Sequence, residues 1–111
     1  MLKDEIFLNI LNSIHEPILF ADKNHITQFM NQAAIDHYSE GKKLMNKSLL
    51  KCHNEKSCKL MINILLKMEN GLTEELISSG SNGNIYMRAV RDASGNLLGY
   101  YERYENSYNH S

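Results

Sequence analysis

The segment Lys51-Cys52-His53-Asn54-Glu55-Lys56-Ser57-Cys58 holds two thiols and an imidazole within eight residues and concentrates most of the chain's reactive side chains. A structural zinc site needs four closely spaced Cys or His ligands. This segment offers three, and the adjacent Cys52 and His53 tend to point apart. Haem iron needs fewer: neutral His53 on one side with a thioether or thiolate on the other, since His with Met or Cys are recognised axial partners. Met87 is the favoured second ligand. Strand alternation puts Ile85, Met87 and Ala89 on one face and Tyr86, Arg88 and Val90 on the other, without saying which face turns inward. In the plainer alternative His53 makes a local cap or hydrogen bond, and Met61, Met68 and Met87 are flexible core filler.

Other constellations carry less chemistry. If Arg88 faced inward, a small carboxylate ligand would be its natural partner; facing outward, Arg88, Arg91 and Arg103 would pair with Glu102 or Glu105 across the sheet. Ser57 lies near His53 in sequence, but no strained elbow or third orienting group accompanies them. Asp4-Glu5 and Glu74-Glu75 read as a helix start and a strand surface, not as an acid and base pair. No phosphate-cradling glycine motif is present. The run Tyr100-Tyr101-Glu102-Arg103-Tyr104 mixes aromatic and basic side chains, yet one strand carrying acids is a poor nucleic-acid platform. His25 and His37 read as surface residues and His110 as part of a polar tail. These residues point to a protein that is not an enzyme.

With 111 residues, 12 Lys and Arg against 13 Asp and Glu, and a net charge of -1, the chain is one near-neutral domain. About two thirds of its unfolded surface can be buried at this length, and 42% hydrophobic residues supply that core. The absence of a basic field argues against nucleic acid and anionic membranes as partners. Apolar runs fall far short of the roughly 20 residues of a membrane span. Met-Leu-Lys-Asp-Glu is no charged-then-apolar leader, and two cysteines without secretory context are expected to be reduced thiols. The expected location is the cytoplasm.

The elements follow from periodicity and punctuation. Leu2, Ile6, Ile10 and Ile14 recur every four residues, with Phe7 and Leu11 beside them, as one apolar stripe on a helix that Glu16-Pro17 ends. Residues 18–21 and 26–30 fit a hairpin around Asp22-Lys23-Asn24. Asn31 is a helix cap for 32–38, and 44–50 forms a further short helical piece. A firmer helix spans 57–70, with Leu60, Ile64 and Met68 on one face and Asn70-Gly71 as its stop. Strands at 73–78, 85–91 and 97–105 are separated by Gly80-Ser81-Asn82-Gly83 and Asp92-Ala93-Ser94-Gly95. The class is α+β, an antiparallel sheet with helices on one face.

This order, with the residues at its joints, resembles a PAS domain from about Pro17 to Glu105. Phe29-Met30-Asn31-Gln32-Ala33-Ala34 resembles the family's second-strand exit, in which an Asn caps the next helix and small alanines pack closely. Leu44-Met45-Asn46-Lys47-Ser48-Leu49 is similar to a segment that usually reads Leu-Ile-Gly-Lys-Ser-Leu, with Asn46 in place of the glycine and able to take a left-handed conformation. Asp92-Ala93-Ser94-Gly95-Asn96-Leu97-Leu98-Gly99 resembles the turn into the last strand. The resemblance implies a five-stranded antiparallel sheet of order 2-1-5-4-3, divided here into an N-terminal flanking helix (1–16), the PAS domain (17–105) and a polar tail (106–111).

It also implies a sensory pocket between helices and sheet, for which Met61, Leu65 and Arg88 are the candidate lining and His53 at the rim with Met87 the candidate haem ligands. The family's flavin photochemistry uses an Asn-Cys-Arg-Phe-Leu-Gln type segment, which has no counterpart here. In its oxygen-sensing haem branch the proximal His lies on the long helix, and 57–70 contains none. The pattern uses nearly all of the chain, so a stand-alone sensor without a fused effector is expected. It would bind a small ligand or haem and relay that state to a signalling protein or through a homodimer formed by the N-terminal stripe. The alternative is a cofactor-free dimerisation or interaction module.

Overall fold

Turns rich in Gly, Asn and Asp fold the second half of the chain into a meander, and the helices before it cover one face of the resulting sheet. The computed structural model describes residues 2–51, 54–81 and 83–106. Met1, Cys52, His53, Asn82 and residues 107–111 lie outside the described residues. In chain order the elements are α1 (Leu2–Ser13), β1 (Leu19–Asp22), β2 (Thr27–Met30) and α2 (Gln32–His37). Two 3-10 turns follow, Gly41–Leu44 and Leu49–Lys51, then α3 (Glu55–Glu69), β3 (Glu74–Gly80), β4 (Gly83–Arg91) and β5 (Leu97–Asn106). The strands form one antiparallel sheet of order β2-β1-β5-β4-β3, as the resemblance implies.

Helix α3 starts two residues earlier than its apolar period indicates. Asn54 is its N-cap, with Oδ1 accepting the Ser57 amide at 2.8 Å. At the other end Arg91 reaches from β4 and donates to the Met68 and Leu72 carbonyls, placing positive charge where the helix dipole is negative. The two halves of the open sheet join where β1 pairs with both β2 and β5. Gly99 of β5 lies opposite Asp22 of β1, and a Cβ at this position would stand 2.1 Å from the Ala21 carbonyl oxygen.

Register separates the two faces of the sheet. Leu19, Glu102 and Met87 stand in one row and Ala21, Tyr100 and Ala89 in the next, and the buried members of both rows face α3. Met61, Ile64, Leu65 and Met68 of α3 meet them there, with Leu44 and Leu49 from the 3-10 turns. Fully burying each such large apolar side chain contributes about 1.5–3 kcal/mol. Helix α1 stays outside this core. Ile6, Phe7 and Ile10 are at least half exposed, and Leu11 is half-buried beside α2. The stripe therefore does not close over the sheet of its own chain. No helix among the described residues is long and apolar enough to cross a membrane.

Candidate functional site

Asn31 is the joint from which the site is built. It leaves β2, caps α2 and is fully buried. Its Oδ1 accepts the amides of Ala34 and Ile18, each at 2.9 Å. Its Nδ2 donates back to the carbonyls of Leu11 at 3.0 Å and Glu16 at 3.1 Å, with a longer contact of 3.4 Å to Ile14. One side chain thus ties the end of α1, the start of β1 and the first turn of α2 together.

Six residues on, α2 ends and Tyr38 turns toward the sheet. Its hydroxyl donates to Glu102 Oε1 at 2.7 Å, and the Tyr104 hydroxyl lies against the same two groups. His37 packs edge-on against both rings. Glu102 is almost fully buried, between Leu19 and Met87 in its row, so these phenols provide the hydrogen bonds that a buried carboxyl requires. Burial, followed by the Glu102 charge, pushes both phenols well above their ordinary value of 10.0 and keeps them protonated donors.

A second buried polar pair lies one row away. His25 Nδ1 is 2.7 Å from the Tyr100 hydroxyl. Tyr100 is completely buried, and burial raises its phenol, reinforced by Glu102 and Asp22. Burial lowers the His25 imidazole from 6.5, with Asp22 partly offsetting it. His25 is therefore an interior residue, contrary to the surface position expected for it. Thr27, fully buried and paired with Ala21, has a hydroxyl with no hydrogen-bond partner among the described residues. Outside this cluster a cavity of about 840 Å³ runs past His15, Pro17, His37 and Tyr104 to the β3–β4 hairpin.

Of the residues singled out from the sequence, Met61, Leu65 and Met87 come together in the core, and Met87 is fully buried. His53 lies outside the described residues. Arg88 requires a correction: it points to the opposite face, where it donates to Glu74 at 3.2 Å. Arg103 holds the same carboxylate at 3.0 Å and stacks over Tyr86. An inward carboxylate-binding Arg88 is thereby removed, because alternation gives the inner face to Met87. The sequence reading missed Glu102 and its tyrosines. The signal was present: Tyr100, Glu102 and Tyr104 alternate along a single strand.

No family model and no curated protein matches the chain. Solved structures do match. The C-terminal domain of a Streptococcus mutans protein superposes with a TM-score of 0.76 at 22% identity, over 93% of this chain and 84% of that one. The PAS domain of BvgS from Bordetella pertussis gives 0.66 at 16% identity, covering 96% and 87%. The Aer2 receptor of Vibrio cholerae, described as a dual PAS-haem oxygen sensor, gives 0.58 at 20% identity, covering 82% and 93%. Strand order, helix placement and these likenesses together show that this chain has the PAS fold.

Proposed function

We propose that this protein is a non-enzymatic signalling module of the PAS type, which reads a small ligand at the inner face of the sheet and passes its state to α1. Asn31 supports this most directly. The residue that caps α2, whose far end carries Tyr38 into the Glu102 cluster, also grips the Leu11 carbonyl in the last turn of α1 and the Glu16 carbonyl just beyond it. A shift of Tyr38 would therefore reach α1 through a short, hydrogen-bonded path. The exposed α1 face is assigned to a second copy of the chain, and the near-neutral charge favours protein over nucleic acid as the partner. Cys58, present as a thiol that donates to the Leu50 carbonyl, suits a reducing, cytoplasmic setting.

The unpartnered Thr27 hydroxyl favours a ligand with a polar atom. Leaving such a group unsatisfied costs about 1–3 kcal/mol, so Thr27→Val should match or exceed the native protein in stability without ligand. A thermal-shift screen of small polar metabolites tests the reading: a true ligand at 100 times its Kd stabilises by about 2.7 kcal/mol, and Thr27→Val should blunt that gain. A broad screen without any shift would overturn ligand sensing.

Haem fits the described residues poorly. Met87 is packed into one cluster with Met61, Ile64, Leu65 and Met68, and α3 carries no histidine. The His53 and Met87 pairing is checked by the spectrum after haem addition: no Soret band, or an unchanged band in His53→Ala, ends it. The burial of Met87 among the α3 side chains supports the second reading, a cofactor-free dimerisation module. Both forms expect a dimer that Ile6→Asp with Ile10→Asp converts to monomer in light scattering at high protein concentration.

A further inference from the structure

We propose that His25 is a proton-operated latch on the β1–β2 turn, which holds the segment leading into α3 while the imidazole is neutral and releases it on protonation. The inference rests on the turn's geometry and not on the ligand reading above.

The turn is built around this residue. His25 is in left-handed backbone at φ 64°, a conformation disfavoured for residues with a Cβ. It is held there by its own N–H, which donates to the Asp22 carbonyl at 3.0 Å, and by its carbonyl, which accepts the Leu49 amide at 2.8 Å. The residue is 6% exposed, and its ring lies against fully buried Tyr100. In the closed form we assign the protonated phenol as the donor to Nδ1, which places the imidazole's own proton on Nε2.

The same hairpin grips the crossing segment again two residues later. Thr27 donates to the Lys47 carbonyl and accepts the Asn46 amide, both at 2.9 Å, and Ile26 bridges to Ser48. On the far side, Cys58 Sγ of α3 donates to the Leu50 carbonyl at 2.9 Å. Residues 46–50 are thus clamped between the His25 turn and α3.

Protonation makes Nδ1 a donor, so the Tyr100 hydroxyl must turn its hydrogen away and the ring must hold a buried cation. Among the described residues, little nearby stabilises that charge. Asp22 faces it from β1, but its oxygens already accept from the Asn24 and Ile26 amides and from Gln28. Tyr100 faces it from β5 as a neutral phenol. The crossing segment contributes Lys47, which is exposed and of the same sign. The imidazole therefore leaves its site, and the Leu49 amide loses its acceptor. The sign follows from linkage. The closed form has a pKa below 6.5, so it binds fewer protons than the open form, is fully favoured above 6.5, and loses ground as pH falls through the lowered value.

Hydrogen exchange at the Leu49 amide, expressed as a protection factor at each pH from 8 to 5, tests the latch. Protection should fall by up to about tenfold per pH unit once His25 titrates. His25→Asn, which tolerates positive φ and keeps an acceptor, should flatten that dependence. Wild-type protection that stays constant, or a fall just as steep in His25→Asn, overturns the proposal. Should the variant not fold, the His25 ring resonances of the native protein decide: a titration midpoint below 6.5 supports the latch and one at or above 6.5 overturns it.

Discussion

At the scale of single residues, every polar atom of the Asn31 side chain is engaged, and its partners lie in α1, in α2 and in the stretch that leads into β1. Asn31→Ala removes an N-cap worth about 1 kcal/mol and strands buried amides and carbonyls at about 1–3 kcal/mol. A loss on the order of 3 kcal/mol and a Tm lower by roughly 10–20 °C are expected in thermal unfolding. Within the carboxylate cluster, Tyr38→Phe should cost more than Tyr104→Phe, because the Tyr38 hydroxyl donates to Glu102 at 2.7 Å and the Tyr104 hydroxyl donates to it at 3.4 Å. A double-mutant cycle in urea should show coupling of at least about 0.5 kcal/mol. The cap role of Asn31 was legible because it depends on the next three residues. Its grip on Leu11 and Glu16 was not, since those partners meet it only after the chain has turned through β1 and β2. Glu102 was misread for a related reason: an acid between tyrosines looks solvated until the strand's inner face is known.

At the scale of elements, the helices and strands were legible from period and punctuation, whereas the face each strand presents depended on its neighbours. Arg88 and Met87 show this. Alternation separates them, but only the pairing of Met87 with buried Glu102, and of Arg88 with Glu74, says which side is which. Glu74 is held below its ordinary 4.5 first by Arg103 and then by Arg88, against some desolvation. A lowered folded pKa gives stability that is present above about 4.5 and is lost as pH falls through the folded value. Since the group is partly exposed, Glu74→Gln should cost less than about 1 kcal/mol at pH 7. The gap from wild type should narrow toward pH 3 in urea midpoints. The glycine before the final tyrosines has a steric cause. Gly99→Ala would drive a methyl into the Ala21 carbonyl and part β1 from β5, so a loss of about 2 kcal/mol or more is expected. If it unfolds at the wild-type urea midpoint, that close approach does not govern the β1–β5 pairing.

At the scale of the whole molecule, one helix stands apart from the shared core. Twelve residues in α1 make a rod about 18 Å long at 1.5 Å per residue. One apolar face of that length buries well under the roughly 800 Å² per partner of a standard stable interface. Pairing through α1 alone therefore gives a weak dimer, with a Kd in the micromolar range or above, and its mass should rise with protein concentration. The attraction is apolar, so salt should leave it nearly unchanged, unlike a contact between exposed charges. Mass action then links association to stability, and Tm should climb with concentration. Ile6→Asp with Ile10→Asp should abolish that climb and leave Tm in dilute solution within a degree or two of wild type, because both side chains are already half exposed in the monomer. A large fall in Tm for the dilute double variant would mean that α1 packs against its own domain, and its apolar face would then be core and not a contact for a second copy.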